Sequence, residues 1–172
     1  MKLKLAALAA AAALSGAAQA QIVVPWGNHD VGELGGTLFF GTGSSFAFDV
    51  VYTFSLSNTV NALAVGVTND APGLFDINGA KAELYASNGN ANFSDDTLLG
   101  SFTFDSTAVT HTFSPLVAGN YFYRVTGHVD GPLGGSYLLS SHIDAVPEPE
   151  TYAMFLAGLG LMGAIARRRT LA

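Results

Sequence analysis

The chain has 172 residues, no cysteine and a formal net charge of −6. The lack of cysteine excludes disulfides and thiol catalysis. Between residues 21 and 146 only Lys81 and Arg124 are cationic, against eleven carboxylates, which gives this part a formal net charge of −9. Such a charge repels phosphate groups and therefore argues against nucleic acid and anionic lipid as partners.

The first twenty residues have the three parts of a secretory signal. Lys2 and Lys4 give a positive start, residues 5–14 form an apolar run, and Ala18-Gln19-Ala20 is a small-x-small cleavage site. We expect a signal helix over residues 1–20, with cleavage after Ala20, so that the mature chain begins at Gln21. An ordinary N-terminal helix is the alternative for a segment this rich in Ala and Leu.

The strongest structural pattern of the central segment lies at residues 46–56. Apolar residues recur there at every second position, which fits a strand and no helix. We expect Asp49 and Thr53 to point away from a core that receives the alternating residues Phe46, Phe48, Val50, Tyr52, Phe54 and Leu56. Further strands are predicted at residues 22–24, 37–40, 60–68, 80–87, 98–104, 109–113, 121–128 and 137–143.

The segments between these strands are rich in Gly, Asn, Asp and Pro, as at residues 69–73 and 130–135. Eight or nine short strands joined by such turns predict an all-β domain, a two-sheet antiparallel sandwich of the jelly-roll-like kind. Its length, about 126 residues, suits one domain with one core.

Two His-x-Asp pairs are candidates for chemistry: His128 with Asp130, and His142 with Asp144. Positions i and i+2 of a strand share a face, so each imidazole would lie beside its carboxylate and could orient a base or ligate a metal. His29, in Asn28-His29-Asp30, could join them if the fold brings the N-terminal strand close. The alternative is that these are polar residues at strand ends.

The sequence contains no assembled catalytic motif. It has no G-x-S-x-G and no His-Glu-x-x-His, and its scattered carboxylates allow no glycosidase pair to be assigned. A G-x-G-x-x-G at residues 158–163 lacks the acidic residue about 20 positions later that a dinucleotide site needs. We therefore expect neither enzymatic activity nor a cofactor.

Two binding functions remain open from the residues alone. Residues 88–96 collect Asn and Asp oxygens, which calcium prefers, although hairpin connections use the same residues. A carbohydrate platform would need exposed aromatic side chains, for which Trp26, Tyr85, Tyr123 and Tyr137 are the candidates, with core packing as the alternative.

Residues 146–172 form a tail with three parts: Pro147-Glu148-Pro149, an apolar stretch at residues 151–166, and Arg167, Arg168 and Arg169. As a helix the apolar stretch would measure about 24 Å, somewhat short of a bilayer core of roughly 30 Å. Three consecutive arginines nevertheless favour a transmembrane helix whose arginines remain at the cytoplasmic face.

This tail resembles the PEP-CTERM sorting signal of Gram-negative bacteria in its Pro-Glu-Pro motif, its apolar stretch from Met154 to Ile165 and its three arginines. The resemblance implies recognition by exosortase, a membrane-embedded, cysteine-dependent transpeptidase that would cut near the Pro-Glu-Pro motif. It also implies export across the inner membrane, transient anchoring by the C-terminal helix, and delivery to the cell surface or a biofilm matrix containing exopolysaccharide.

The central segment carries a second resemblance. Residues 116–127 and 135–137 are similar to an L-x-A-G-x-Y … V-x-G … G-S-Y pattern found in PEP-CTERM proteins of the FxDxF subgroup and in pre-peptidase C-terminal β-sandwich domains. Residues 48–54 are the candidate for the namesake motif, with two residues between Asp49 and Tyr52 where the pattern has one.

The sequence thus predicts a signal peptide at 1–20, a β-sandwich domain at 21–145 and a sorting tail at 146–172. We expect a surface or matrix protein without catalysis, with a polysaccharide- or calcium-binding module as the alternative. Exposure of Trp26 and the tyrosines, or convergence of His29, His128 and His142, would favour the binding module.

Overall fold

The computed structural model describes residues 9–10, 21–29, 32–40, 45–71, 73–90, 93–145, 154–159 and 162. Most of the described residues lie in strands. The ten strands are β1 (Ala9–Ala10), β2 (Ile22–Asn28), β3 (Gly32–Phe40), β4 (Phe46–Leu56), β5 (Val60–Asn69), β6 (Ile77–Ser87), β7 (Thr97–Thr103), β8 (Val109–Leu116), β9 (Gly119–Val129) and β10 (Gly134–Ala145).

The strands form two five-stranded sheets. Sheet A has the order β1-β3-β10-β5-β8, and sheet B has the order β2-β4-β9-β6-β7. Strands β3 to β6 alternate between the sheets, and β8, β9 and β10 do so again, as in a jelly roll. The two-sheet sandwich expected from the sequence is confirmed.

The expectation of purely antiparallel sheets is wrong, because β2 pairs with β4 and β1 with β3 in parallel. The chain passes through β3, in the other sheet, between β2 and β4. After this detour β4 runs in the same direction as β2, so the two strands pair in parallel.

The alternation expected along residues 46–56 is confirmed in β4. Its inward side chains pack in the core, with Phe46 partly buried, while Asp49 and Thr53 are half-buried on the outer face. Val51 is an exception, since it is fully buried on that outer face. It lies between Val23 of β2 and Arg124 of β9 in the strand register, so its neighbours shield it.

Strand β3 begins five residues before the predicted start at residue 37, and its glycines explain the difference. A Cβ on Gly35 would lie 2.6 Å from Cε1 of Tyr52 and 2.8 Å from Cζ2 of Trp26. Glycine is therefore required for the aromatic rings of sheet B to pack against the backbone of β3. Two adjacent glycines usually indicate a turn, but in β3 the first of them allows the two sheets to pack closely.

The hydrophobic core lies inside the central segment. Its buried members run from Trp26 to Leu139, and partly buried residues extend the cluster only to Ile22 and Ile143. The last strand, β10, ends at Ala145. The described core is thus assembled from residues between the two ends that the sequence marks as signal and sorting tail.

Neither helix expected at the two ends is shown. Ala9 and Ala10, the described residues of the N-terminal segment, form strand β1 along the edge of β3, whose open backbone groups accept a pairing strand. Residues 154–159 are helical with exposed side chains. Within the described part of the chain, no helix reaches the length and hydrophobicity of a membrane span.

Candidate functional site

The outer face of sheet B carries three rows of side chains that cross four neighbouring strands. The row nearest one end joins Asn28 of β2, Ser55 of β4, Asn120 of β9 and Ser87 of β6, and we call it the polar row. The next row contains Pro25, Thr53, Phe122 and Tyr85, and the third contains Val23, Val51, Arg124 and Glu83. Each row follows from the alternation of side chains along paired strands.

The loop after β6 forms a wall beside the polar row. The ring of Phe93 packs edge-on against Phe122 with centroids 4.9 Å apart, and Tyr85 stacks on the same ring at the same distance. The loop bonds to itself: the Asn88 amide N–H donates to Asp96 Oδ1 at 2.7 Å, and the Asn90 side-chain amide donates to Asp95 Oδ2 at 3.1 Å. These contacts hold Phe93 in place.

A groove of about 440 Å³ runs between this loop and strands β2 and β4 of sheet B. Its polar side chains are those of the polar row together with Thr53, Asn90 and Tyr121, and the apolar side chains are Pro25, Phe54 and Phe93. Among the described residues the lining of the groove contains no charged side chain. We call this the amide groove.

Several polar groups of the amide groove are available to a ligand. In the part of the chain that the structure describes, the side-chain carboxamide of Asn120 and the hydroxyl of Thr53 make no hydrogen bond. The side-chain Oδ1 of Asn28 accepts one from the Ser57 hydroxyl at 3.1 Å, and Asn28 itself is exposed. The groove therefore presents both donors and acceptors.

The charged side chains beside the groove on the outer face of sheet B pair with one another. Arg124 binds Asp49 through two nitrogens, with the shortest contact at 2.7 Å, and this hydrogen bonding raises the pKa of the guanidinium. Lys81 pairs with Glu83 at 2.5 Å, and Tyr85 donates to the same carboxylate. Both cations of the central segment thus already have carboxylate partners.

A buried polar cluster links the two sheets inside the sandwich. Nε2 of His29 lies 2.9 Å from Oγ of Ser141, and the Tyr123 hydroxyl lies 3.1 Å from the same oxygen. Glu33 is buried and stands opposite Ser141 in the register of β3 and β10. Ser141 is fully buried. A serine beside a histidine can act as a nucleophile only if substrate reaches it, so this geometry indicates a structural contact.

Tyr52 and Tyr137 form a second link between the sheets, with hydroxyl oxygens 2.8 Å apart. Burial raises the pKa of both phenols, and it raises that of Tyr123 to about 12. Sequence reasoning missed both polar links. His29 and Ser141 are 112 residues apart, and no local pattern signals their contact.

The three histidines singled out from the sequence do not converge. His29 is inside the sandwich, His128 is exposed on the outer face of sheet B, and His142 is exposed on the outer face of sheet A. His142 does lie beside Asp144, at 3.2 Å. Asp130 accepts from Ser45 and Asn78, and these bonds lower its pKa. Within the described residues no group of three or more His, Cys, Asp or Glu could hold a metal.

The aromatic platform offered as a carbohydrate site is wrong for three of its four residues. Trp26, Tyr123 and Tyr137 are buried in the core, in agreement with the alternative of core packing. Only Tyr85 remains at the surface, half-buried against Phe122. The sequence did not single out Phe93 as a surface aromatic. Its place in a loop rather than in an alternating strand was the one available signal.

The expected processing residues lie mostly outside the described residues. This holds for Ala18 and Ala20, for Pro147, Glu148 and Pro149, and for Arg167, Arg168 and Arg169. Gln21 is described: it is exposed, and its side-chain amide donates to Asp49 at 3.1 Å. The cleavage and domain boundaries therefore stay predictions.

Comparison with solved structures finds chains of low sequence identity. The chain is similar to the pre-peptidase C-terminal domain of collagenase from Bacillus anthracis, at 17% identity over 72% of this chain and 97% of that one, with a TM-score of 0.44. It is also similar to the periplasmic lysozyme inhibitor PliG of Aeromonas hydrophila, at 12% identity over 73% and 100% of the two chains, with a TM-score of 0.41.

A third structure is CorA, a surface-associated copper-binding protein of Methylomicrobium album BG8. It is 6% identical over 74% of this chain and 100% of that one, with a TM-score of 0.42. Similarities this distant do not indicate function. No curated protein sequence matches the chain.

A protein-family match covers the tail of the chain. Residues 145–169 match the family described as the PEP-CTERM protein-sorting motif. This confirms the sorting motif expected from the Pro-Glu-Pro sequence, the apolar stretch and the arginines. The motif implies an exported protein that exosortase sorts to the surface. The FxDxF subgroup stays a prediction.

Proposed function

We propose that the protein is an exosortase substrate whose β-sandwich is a non-catalytic component of the cell surface or biofilm matrix, associated with exopolysaccharide. In this account the signal peptide directs export, the tail holds the precursor in the inner membrane, and cleavage near Pro147 separates the tail from the sandwich. The body would belong to the FxDxF subgroup.

One observation carries this proposal: the described core ends before the sorting motif begins. The hydrophobic cluster extends no further than Ile143, β10 ends at Ala145, and the motif matches from residue 145. The described tail side chains are exposed, including Met154, Phe155 and Leu156. Removal of the tail would therefore cost the sandwich none of its described core contacts.

The absence of catalysis is part of the proposal. His29 and Ser141, which lie in contact, are both buried, and the carboxylates near Arg124 and Lys81 are engaged in ion pairs. A matrix role asks of the body only that it be stable and soluble outside the cell. Its net charge of −9 favours solubility.

The test combines cell fractionation with mass analysis of the mature protein in its native host. The released protein should begin at Gln21 and end near Val146. Replacing Pro147, Glu148 and Pro149 by alanine should leave an uncut precursor in the membrane fraction, because the cleavage signal is lost. Intact peptides from residues 151–169 in the released fraction would contradict the proposal.

A second variant tests the anchor separately from the cleavage. Replacing Arg167, Arg168 and Arg169 by glutamine should misorient or release the tail, because basic residues at the cytoplasmic face set membrane orientation. A matched control replaces them by lysine, which keeps the charge and should keep processing. Equal processing of the glutamine and lysine variants would show that processing does not depend on the positive charge at residues 167–169.

A further inference from the structure

We propose that the amide groove is a binding site for an extended, neutral segment of exopolysaccharide. This inference rests on the proposed function, since it names the ligand class for the exported sandwich and the surface that receives it. The site differs from the buried aromatic residues that the sequence suggested. It is built from the polar row and the ring of Phe93.

The shape of the groove favours an extended ligand. The polar row crosses four strands, and neighbouring strands lie about 4.7–4.9 Å apart, so the row is about 14 Å wide. The groove volume, about 440 Å³, falls within the range of roughly 300–1,000 Å³ typical of ligand sites. A chain lying along the row would meet one polar side chain on each strand.

The chemistry of the groove favours hydroxyl groups. A sugar hydroxyl is both donor and acceptor, and a carboxamide offers two donors beside one acceptor with two lone pairs. Asn28 and Asn120 lie in the same row with Ser55 between them on β4. Thr53 lies one row further into the groove. Such a row can bond successive hydroxyls without a charged partner.

Phe93 supplies the apolar part of the site. A pyranose ring has an apolar face of C–H groups, which packs against an aromatic ring whose position is fixed. The edge contact with Phe122 and the internal hydrogen bonds of the loop fix Phe93. Its side chain is only partly buried, so ring surface remains for a ligand.

Electrostatics favours a neutral polymer over an acidic one. The central segment has a net charge of −9, and its two cations, Arg124 and Lys81, are already paired with Asp49 and Glu83. An acidic polysaccharide would meet repulsion with no available cation to offset it. A neutral polymer meets no such repulsion, and its binding should depend little on salt.

The test uses the full chain in a sugar-free detergent and exopolysaccharide isolated from the producing cells. Anion exchange separates the polymer into neutral and acidic fractions, and affinity gel electrophoresis measures the dissociation constant for each. EDTA is present throughout, so that a calcium-mediated contact cannot contribute. We expect retardation by the neutral fraction, with an unchanged dissociation constant between low and moderate salt.

Two variants locate the site. Asn120→Ala should weaken binding about three- to tenfold, the effect of one or two lost hydrogen bonds, and Phe93→Ala should weaken it at least tenfold. The control variants are Asn69→Ala and Phe40→Ala, which remove an exposed asparagine and an exposed phenylalanine side chain from sheet A. Circular dichroism of each variant verifies that the fold is retained.

The outcomes separate this inference from the proposed function. No binding of the neutral fraction, stronger binding of the acidic fraction, or equal effects of site and control variants would overturn the groove assignment. Correct export and tail cleavage in the same cells would leave the sorting proposal standing in each of those cases. In a separate series without EDTA, binding that appears only when calcium is added would likewise overturn the groove assignment, in favour of the loop at 88–96.

Discussion

The central segment and the tail are both rich in apolar residues, yet their side chains meet different surroundings. Phe54 of β4 is 4% exposed and stacks against Tyr121 and Tyr123, whereas Phe155 of the tail is 65% exposed. In the sandwich, apolar residues alternate with polar ones, so each strand buries one face. In the tail they form a continuous run, which suits a surrounding membrane better than a two-sided sheet. Apolar residues thus serve folding in one region and sorting in the other.

The largest expected effect comes from the matched pair of phenylalanines. Phe54→Ala should lower the free energy of unfolding by about 3–5 kcal/mol, because it removes a buried ring and leaves a cavity. Phe155→Ala should change it by less than about 0.5 kcal/mol, as for exposed positions in general. Urea unfolding of both variants of the full chain measures the difference. Similar losses in the two variants would erase the distinction between body and tail.

A second prediction concerns the buried tyrosines of the sandwich. Burial raises the pKa of Tyr123 to about 12, above its value of 10 in an unfolded chain. The stability from the neutral phenol is therefore fully present below pH 10 and is lost as the pH rises from 10 to 12. The two-unit shift corresponds to about 3 kcal/mol.

Tyr123→Phe tests this dependence. At pH 8 the variant should be less stable than the wild type by about 1 kcal/mol, because it lacks the hydrogen bond to Ser141. Between pH 10 and 12 its free energy of unfolding should fall by less than that of the wild type, because no phenol at position 123 ionises. Tyr85→Phe is the comparison. Burial and the neighbouring Glu83 carboxylate also raise the pKa of Tyr85, but solvent screens this surface phenol, so its replacement should reduce the alkaline loss less than Tyr123→Phe does. Identical alkaline curves for wild type and Tyr123→Phe would assign the loss to other groups.

A smaller difference in stability is expected between alanine substitutions at two glycines, one in the sandwich and one in the tail. Gly35→Ala should cost about 1–3 kcal/mol, because its Cβ would overlap the rings of Tyr52 and Trp26. A Cβ added at Gly158 in the tail meets, outside its own helix, no atom of the described residues within 4 Å, so Gly158→Ala should leave the sandwich unchanged. Thermal unfolding followed by circular dichroism compares the two. A neutral Gly35→Ala variant would show that the aromatic rings can move away from β3.

The sandwich and the inward face of β4 were predictable because alternation is a local signal. The bounds of β4 and the burial of Phe48, Val50 and Tyr52 follow from spacing alone. The start of β3 was not predictable, since its glycines look like a turn until the rings of Tyr52 and Trp26 are placed against them. Parallel pairing of β2 with β4 depends on the chain path through the other sheet, which no short pattern encodes.

The candidate site was less predictable than the fold. The sorting tail is a linear motif, so the sequence alone identifies it. The amide groove joins Asn28, Ser55, Ser87 and Asn120, which come together only when four strands are in register. Trp26 and Tyr123 illustrate the opposite error, because an aromatic residue suited to a ligand platform is equally suited to a core.

The central claim, that the sandwich is complete without its tail, is tested most directly by comparing a Gln21–Ala145 fragment with a Gln21–Ala172 chain, so that the two proteins differ only in the tail. Trp26 is the single tryptophan and lies in the core, so its fluorescence reports unfolding of the sandwich in both proteins. Urea titrations under the same sugar-free detergent conditions should give the same midpoint and the same slope. A fragment that fails to fold, or unfolds at a clearly lower urea concentration, would show that the tail belongs to the core and would contradict the account.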